Sequence, residues 1–241
     1  MNKNKPKVLC IIPARGGSKG LKDKNIQKVN GKPLIYYPIA AAKESKVCDR
    51  IFVSTDSTKI ADLAKKFNAE VPFLRSKKFS KDLTTTEETL QNALLEFENY
   101  TNFKFDICVF LTANRIFRKS AWIKKCVNNL INDSKIESSF VVQKTYKHFW
   151  HKKNNKYEKV LRWMNSYTSR QVAPDFYRED TALTCASRAS LWRRGIRIGK
   201  KIKFVVHDNP FAEIDIHSEE DLIIADAAMR FIVNKKKMKA F

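Results

Sequence analysis

The sequence predicts an α/β protein, a mostly parallel sheet with helices on both faces, formed as one domain over residues 1–241. Three observations carry that prediction. Short, continuous apolar runs recur, at 8–12 (VLCII), 51–53 (IFV) and 106–111 (DICVFL), each with the length of a strand buried on both faces. Amphipathic stretches with helical start signals alternate with these runs. Apolar residues make up 43% of the 241 residues, enough for one well-filled core.

Taken in order, residues 8–12 form the first strand, ended by Pro13, and a loop over 14–29 follows. Pro33 opens a helix through about residue 45, with Leu34, Ile35, Ile39 and Ala42 on one face. Residues 51–53 are a second strand, and Thr55-Asp56-Ser57 supplies the cap of a helix reaching Phe67. Residues 71–74 read as a short strand. Thr85 with Glu88 makes a capping box for a helix to about Tyr100. The strand at 106–111 leads into a helix over 120–131.

Between 144 and 180 the alternation breaks. His148-Phe149-Trp150, Trp163, Tyr167 and Phe176-Tyr177 crowd this segment among charges, which predicts an excursion with small strands of its own. Exposed aromatics suit a subunit contact, and hence a homodimer, with a lid as the other reading. Residues 182–186, 203–206 and 213–216 then read as strands, and Ser218 caps a closing helix from 219 to about 233.

Composition narrows the function. The five cysteines (Cys10, Cys48, Cys108, Cys126, Cys185) are widely spaced without a C-x-x-C pair, as reduced structural residues would be. His148 and His151 have the only zinc-like spacing and no cysteine partners, so zinc is the lesser reading. No apolar run approaches the roughly 20 residues of a membrane helix, and the polar N-terminus shows no leader pattern, so a cytoplasmic protein is expected. The net charge of +22 points to anionic ligands. A nucleic-acid partner would explain that charge, but no nucleic-acid-binding signature accompanies it.

The most informative stretch is IIPARGGSKG, residues 11–20. A buried strand ending in a glycine-rich cationic loop holds phosphates well, because backbone N–H groups approach the oxygens and Arg or Lys neutralises them. The spacing matches neither G-x-x-x-x-G-K-[ST] nor G-x-G-x-x-G, so an anion cradle and a simple tight turn both stand. A second stretch, AEIDIHSEEDL at 212–222, places Glu213 and Asp215 two apart in a strand-like run. Both carboxylates would then face one way, a pattern suited to magnesium beside a phosphate loop and equally to an ordinary solvated edge.

IIPARGGSKGLKDKNI, NGKPLIYYPIAAAKES, DRIFVSTDS, AEVPFLR, the loop from Asp82 through Thr86, and EIDIHSEEDL occur in that order along the chain. Together they resemble the acylneuraminate (CMP-nonulosonate) cytidylyltransferases over nearly its whole length. The resemblance implies a Rossmann-like nucleotidyltransferase fold and a homodimer exchanging an inserted segment. It implies a reaction joining CTP to a 2-keto-3-deoxy sugar acid with release of pyrophosphate, with Mg2+ as cofactor. Arg15, Ser18, Lys19 and Lys24 would hold the triphosphate along a loop opened by Gly16 and Gly17, with Arg15, Lys19 and Lys24 as the catalytic cations. Asn25 and Arg75 would read cytosine, and Asp82 would lie along the ribose. Glu213 and Asp215 stand at the family's magnesium positions, with Glu replacing the usual first Asp. Arg170, in SRQVAP, would meet the sugar carboxylate, with neighbouring Gln171 and with Asn114 also on the acceptor side.

Two segments depart from the family's pattern. Its L-Q-P-T-S-P-L-R is LTANRIFR here, at 111–118, and its N-G-[AG]-I-Y corresponds to DTALT at 180–184. Arg115, Phe117, Glu179 and Asp180 thus enter where the rest of the sugar is expected to lie. A changed acceptor and drift with an unchanged acceptor both fit these replacements, and a binding homologue without activity is a third reading.

Overall fold

The computed structural model describes residues 5–161, 171 and 173–238. The first strand, β1 (Val8–Pro13), sends Val8, Cys10 and Ile12 to one core and Leu9 and Ile11 to the other. Two-sided burial of this kind is what a continuous apolar run predicts. A hairpin of β2 (Lys28–Val29) and β3 (Lys32–Pro33) follows. Then come α1 (Tyr36–Ser45), β4 (Arg50–Ser54), α2 (Thr58–Lys66), α3 (Thr86–Thr101), β5 (Ile107–Phe110) and α4 (Ser120–Asn132). The C-terminal half adds β6 (Ser138–Lys144), β7 (Trp150–Lys153), β8 (Lys156–Lys159), β9 (Tyr177–Glu179) and β10 (Cys185–Arg188). It closes with α5 (Ala189–Trp192), β11 (Ile202–His207) and α6 (Glu219–Met238).

The main sheet runs β11-β6-β10-β5-β1-β4, and β9 also pairs with β6. From the pairing directions, β4, β1, β5, β6 and β11 point one way and β9 and β10 the other, so the sheet is mostly parallel. Residues of α1, α2, α4 and α6 pack on one face, and those of α3 and α5 on the other. The chain leaves β1 toward β4 on one side and returns to β5 on the other. That reversal opens a crevice beyond the carboxyl ends of β1 and β5, where open α/β sheets bind ligands.

Local signals hold where they are strong. Ser57 accepts from the Ile60 N–H at the start of α2, and Thr85 and Glu88 form the full capping box of α3. All five cysteines are free thiols, four of them buried.

Several expectations are corrected. Pro33 lies in β3 and α1 begins at Tyr36, because Asn30 (φ 47°) and Gly31 (φ 73°) form a two-residue turn that folds the chain into a hairpin first. Residues 71–74 form no strand; only Glu70 bridges Phe52, and Pro72 has no N–H to extend a ladder. Residues 213–216 form no strand either. Pro210–Glu213 is a 3-10 turn and residues 214–217 carry no ladder. The strand expected at 182–186 begins at Cys185, because residues 180–184 bulge away from β6. β6 itself, unanticipated in the sequence, pairs with three strands.

The segment from 144 to 180 carries the β7–β8 hairpin, whose Trp150 and Tyr157 are exposed with Lys159 and Lys152 over their rings. Trp163 and Tyr167 lie outside the described residues.

Candidate active site

Beyond the ends of β1 and β5 lie two adjoining cavities, of about 380 and 330 Å³, that share Pro13, Arg15, Lys24 and Thr112. Ser18, Lys19, Asn25 and Asn114 line the second, and Arg75 and Asp82 the first. Eight residues named from the sequence therefore border one crevice.

The cationic loop is built from close backbone approaches. Gly16 donates its N–H to Asp56 Oδ1 at 2.8 Å, and a Cβ on Gly16 would meet Ser57 Cβ at 3.0 Å. Gly17 has open space around it. A Cβ on Gly20 would come within 2.9 Å of the His217 carbonyl oxygen, so only glycine lets the loop lie against residues 214–217. This contact brings the two informative stretches together in space.

Cations dominate the crevice lining, and its one carboxylate, Asp82, pairs with two of them. Asp82 accepts from Arg15 Nη1 and lies on Lys19 Nζ, both at 2.6 Å. Hydrogen bonds from Lys19 and then Arg15 hold its carboxyl below the usual range. Burial draws the Lys24 ammonium and the Arg75 guanidinium below their ordinary values, partly opposed by Asp215 and Asp56 respectively. Asn25 is buried, and its Nδ2 donates to the Arg15 carbonyl at 2.9 Å, fixing the loop. Arg75 donates from Nε to Ser80 Oγ at 3.1 Å.

Asp215 sits behind two residues that line the crevice, Asn114 and His217. It accepts from Asn114 Nδ2 and from Arg115 Nη1, the latter at 3.4 Å, and lies 3.0 Å from His217 Nε2. His217 Nδ1 is 3.5 Å from Lys24 Nζ. Glu213 accepts from Gln143 Nε2 and lies 3.8 Å from Arg178 Nη1. The two carboxylates are thus placed by a turn and an extended loop, each among its own donors, and not by a shared strand face.

Magnesium takes one or two carboxylates together with substrate phosphates and water. Among the described residues no group of three or more His, Cys, Asp or Glu side chains converges as a metal site. Were Glu213 and Asp215 to hold magnesium, a substrate's phosphates and water would have to complete its coordination.

The acceptor-side expectations change most. Arg115, Phe117 and Asp180 do not project into an open pocket. All three are buried: Phe117 packs near Phe211, and Arg115 Nη2 donates to Asp180 Oδ1 at 2.8 Å. Glu179 stays exposed, accepting from Thr181 and Arg197. Arg118 donates to the carbonyls of Leu183, Thr112 and Ala182 at 2.7–2.8 Å, stitching the 111–118 loop to the 180–184 bulge. Arg170 lies outside the described residues, and Gln171 is exposed. Sequence reasoning passed over His217, although it stands inside the quoted carboxylate stretch. It also passed over Arg178 and His207, whose only signal is spatial.

A mostly parallel sheet with a cationic glycine loop and carboxylates meeting at its topological crevice defines a nucleotidyltransferase. The chain belongs to the cytidylyltransferase family, whose profile matches residues 9–236. It is 33% identical over 238 residues to the post-translational flagellin modification protein B of Campylobacter coli, covering 97% of each chain. It is also 33% identical over 234 residues to the CMP-N,N'-diacetyllegionaminic acid synthase of Campylobacter jejuni, covering 96% of this chain and 97% of that protein. The pseudaminic acid cytidylyltransferase of Campylobacter jejuni matches at 42% over 123 residues, 49% of this chain and 53% of that one. Among solved structures, CMP:2-keto-3-deoxy-manno-octonic acid synthetase complexed with CTP superposes with a TM-score of 0.66 at 15% identity, covering 93% of this chain and 98% of that one. A 4-diphosphocytidyl-2C-methyl-D-erythritol synthase from Anaerococcus prevotii gives 0.63 at 16%, covering 93% and 99%. At those identities the likeness is one of fold.

Proposed function

We propose that the enzyme transfers CMP from CTP to a 2-keto-3-deoxy sugar acid of the nonulosonate type, releasing pyrophosphate. The observation that carries this reading is the contact of Gly20 with the His217 carbonyl, which sets the cationic loop against the Glu213–Asp215 segment. The names of the relatives matched over about half the chain or more support the nonulosonate class.

In this reading Arg15, Ser18, Lys19 and Lys24 bind the triphosphate, which displaces the Asp82 carboxylate from Arg15 and Lys19. Arg75, fixed by Ser80, and Asn25 border the base. The acceptor hydroxyl attacks the α-phosphorus as the bond to pyrophosphate breaks, and the loop cations stabilise charge developing on the phosphate oxygens. Glu213 and Asp215 would hold magnesium, which supplies further neutralisation of that charge when bound. Arg170 and Gln171 are assigned to the acceptor's carboxylate side on the resemblance of SRQVAP alone.

The base assignment is tested by thermal shift. With magnesium present, CTP is expected to raise the melting temperature more than ATP, GTP or UTP, because a site built to hydrogen-bond one base leaves polar groups unpaired with the others. Equal shifts for all four nucleotides would contradict cytosine selection.

A homodimer built through residues 144–180 belongs to the same reading. Its support is the exposed Trp150 and Tyr157 of the hairpin and the exposed Ile202, Phe204 and Val206 of edge strand β11. Light scattering at micromolar concentration is expected to give twice the chain mass of 28.0 kDa, and a stable species of chain mass would rule the dimer out.

A further inference from the structure

The two segments that depart from the family's pattern share, beside the bonds that Arg118 makes, a buried ion pair between Arg115 and Asp180. We infer that Asp180 is a positioning residue that shares two arginines with Glu213 and Asp215, weakening their hold on those carboxylates and so favouring a divalent cation there. This rests on the proposed reading of those carboxylates as cation ligands.

Asp180 is a hub. Its Oδ1 accepts from Arg115 Nη2 at 2.8 Å, and its Oδ2 accepts from Arg178 Nη2 at 3.0 Å and lies 3.1 Å from His207 Nε2. Each arginine then extends its other nitrogen to one carboxylate of the pair. Arg115 Nη1 reaches Asp215 Oδ2 at 3.4 Å, and Arg178 Nη1 reaches Glu213 Oε2 at 3.8 Å. Both guanidinium groups are closer to Asp180 than to the pair. Coulomb attraction falls with separation and strengthens with burial, and Asp180 is 5% exposed against 37% for Asp215 and 39% for Glu213. The arginines are therefore committed to the buried partner.

Net charge leads to the same conclusion. Asp180 adds one negative charge beside Glu213 and Asp215, where Arg115, Arg178 and, near Asp215, Lys24 supply the positive charge, so it makes the cluster more attractive to a cation. Without Asp180 the cluster would gain one unit of positive charge, and Asp215 and Glu213 would be the carboxylates left to Arg115 and Arg178. An uncompensated charge at either buried position is strongly unfavourable, so the Arg115 and Asp180 replacements depend on each other.

The test is Mn2+ binding to the full chain, followed by the electron paramagnetic resonance signal of the free ion, with the magnesium dependence of turnover as companion. Asp180→Asn, nearly isosteric, is expected to weaken Mn2+ by roughly tenfold, as loss of one nearby charge in a partly solvated cluster does. The magnesium concentration for half-maximal turnover should rise in step, while kcat at saturating magnesium changes far less. Arg115→Met removes a competing cation and is expected to leave Mn2+ binding equal or tighter, although it too lowers the melting temperature. A merely structural role would weaken binding in both variants alongside stability. Should Arg115→Met fail to fold, Arg178→Gln, at a half-exposed site, carries the same expectation of equal or tighter binding.

Asp215→Ala separates the two claims. If it binds Mn2+ as the wild type does, or if the wild type binds none, the cation-ligand reading fails and this inference fails with it. If Asp215→Ala loses binding while Asp180→Asn stays at wild-type affinity, the inference alone is overturned.

Discussion

Asp215→Ala is expected to lower turnover by about two to three orders of magnitude, the usual cost of removing one preorganised group that stabilises transition-state charge. The side chain is 37% exposed and lies against the crevice-lining Asn114, on a stretch without ladder hydrogen bonds. Its removal opens no core cavity, and Arg115 keeps its bond to Asp180. The melting temperature and circular dichroism should therefore stay near wild type while steady-state turnover collapses. Glu213→Asp, which restores the family's residue at that position, should be tolerated better. Near-normal turnover of Asp215→Ala at limiting magnesium would make the carboxylate structural.

The acceptor side carries the second large effect. Turnover with a nonulosonate bearing two N-acyl groups is expected to exceed turnover with N-acetylneuraminate by about 10- to 200-fold, the range that a small difference in substituents commands in a shaped pocket. The diacetyllegionaminic acid synthase of Campylobacter jejuni matches 96% of this chain at 33% identity, and the N-acylneuraminate cytidylyltransferase of Streptococcus agalactiae 54% of it at 37%. Arg115, Phe117 and Asp180 are buried, so they act through the shape of the bulge and loop that Arg118 joins, and Glu179 alone of the four replacements displays its charge. Competition between the two acceptors in one reaction, read by mass of the products, measures the ratio. A ratio near one would mean that these replacements leave specificity untouched.

What could be read from the sequence was local chemistry. The capping box of Thr85 and Glu88, the Ser57 cap and the two-sided burial of β1 each depend on residues close together in the chain. The Asn30-Gly31 turn was equally local, yet Pro33 two residues later was read as a helix start, and the hairpin signal was passed over. β6 escaped because Ser138 and Ser139 interrupt its apolar pattern. Both are fully buried, with Ser138 Oγ at 2.8 Å from Ser187 Oγ and Ser139 Oγ accepting from Asn129. Serines satisfied in this way sit in a core at little cost, and no periodicity reveals their partners.

For the site, the cationic loop was legible because it follows a single strand, whereas Asn25, Arg75, Asp82 and Asn114 were named on family likeness alone. The meeting of that loop with the carboxylate stretch spans nearly two hundred residues of chain and was open only to inference from family likeness. Arg115, Asp180, Glu213 and Asp215 stood out in the sequence singly, but nothing there joined them with Arg178 and His207 into one cluster. Only folding shows that two departures from the family's pattern share an ion pair.

The central claim is transfer of CMP from CTP to a nonulosonate. It is tested most directly by incubating the full chain with magnesium, CTP and a pseudaminic or diacetyllegionaminic acid, and by measuring pyrophosphate and the CMP-linked product together. The account predicts equal amounts of the two, dependent on the acid and on CTP, and little product with ATP, GTP or UTP. Pyrophosphate released without the acid, or no CMP-linked product from any member of a panel of 2-keto-3-deoxy sugar acids, would contradict it.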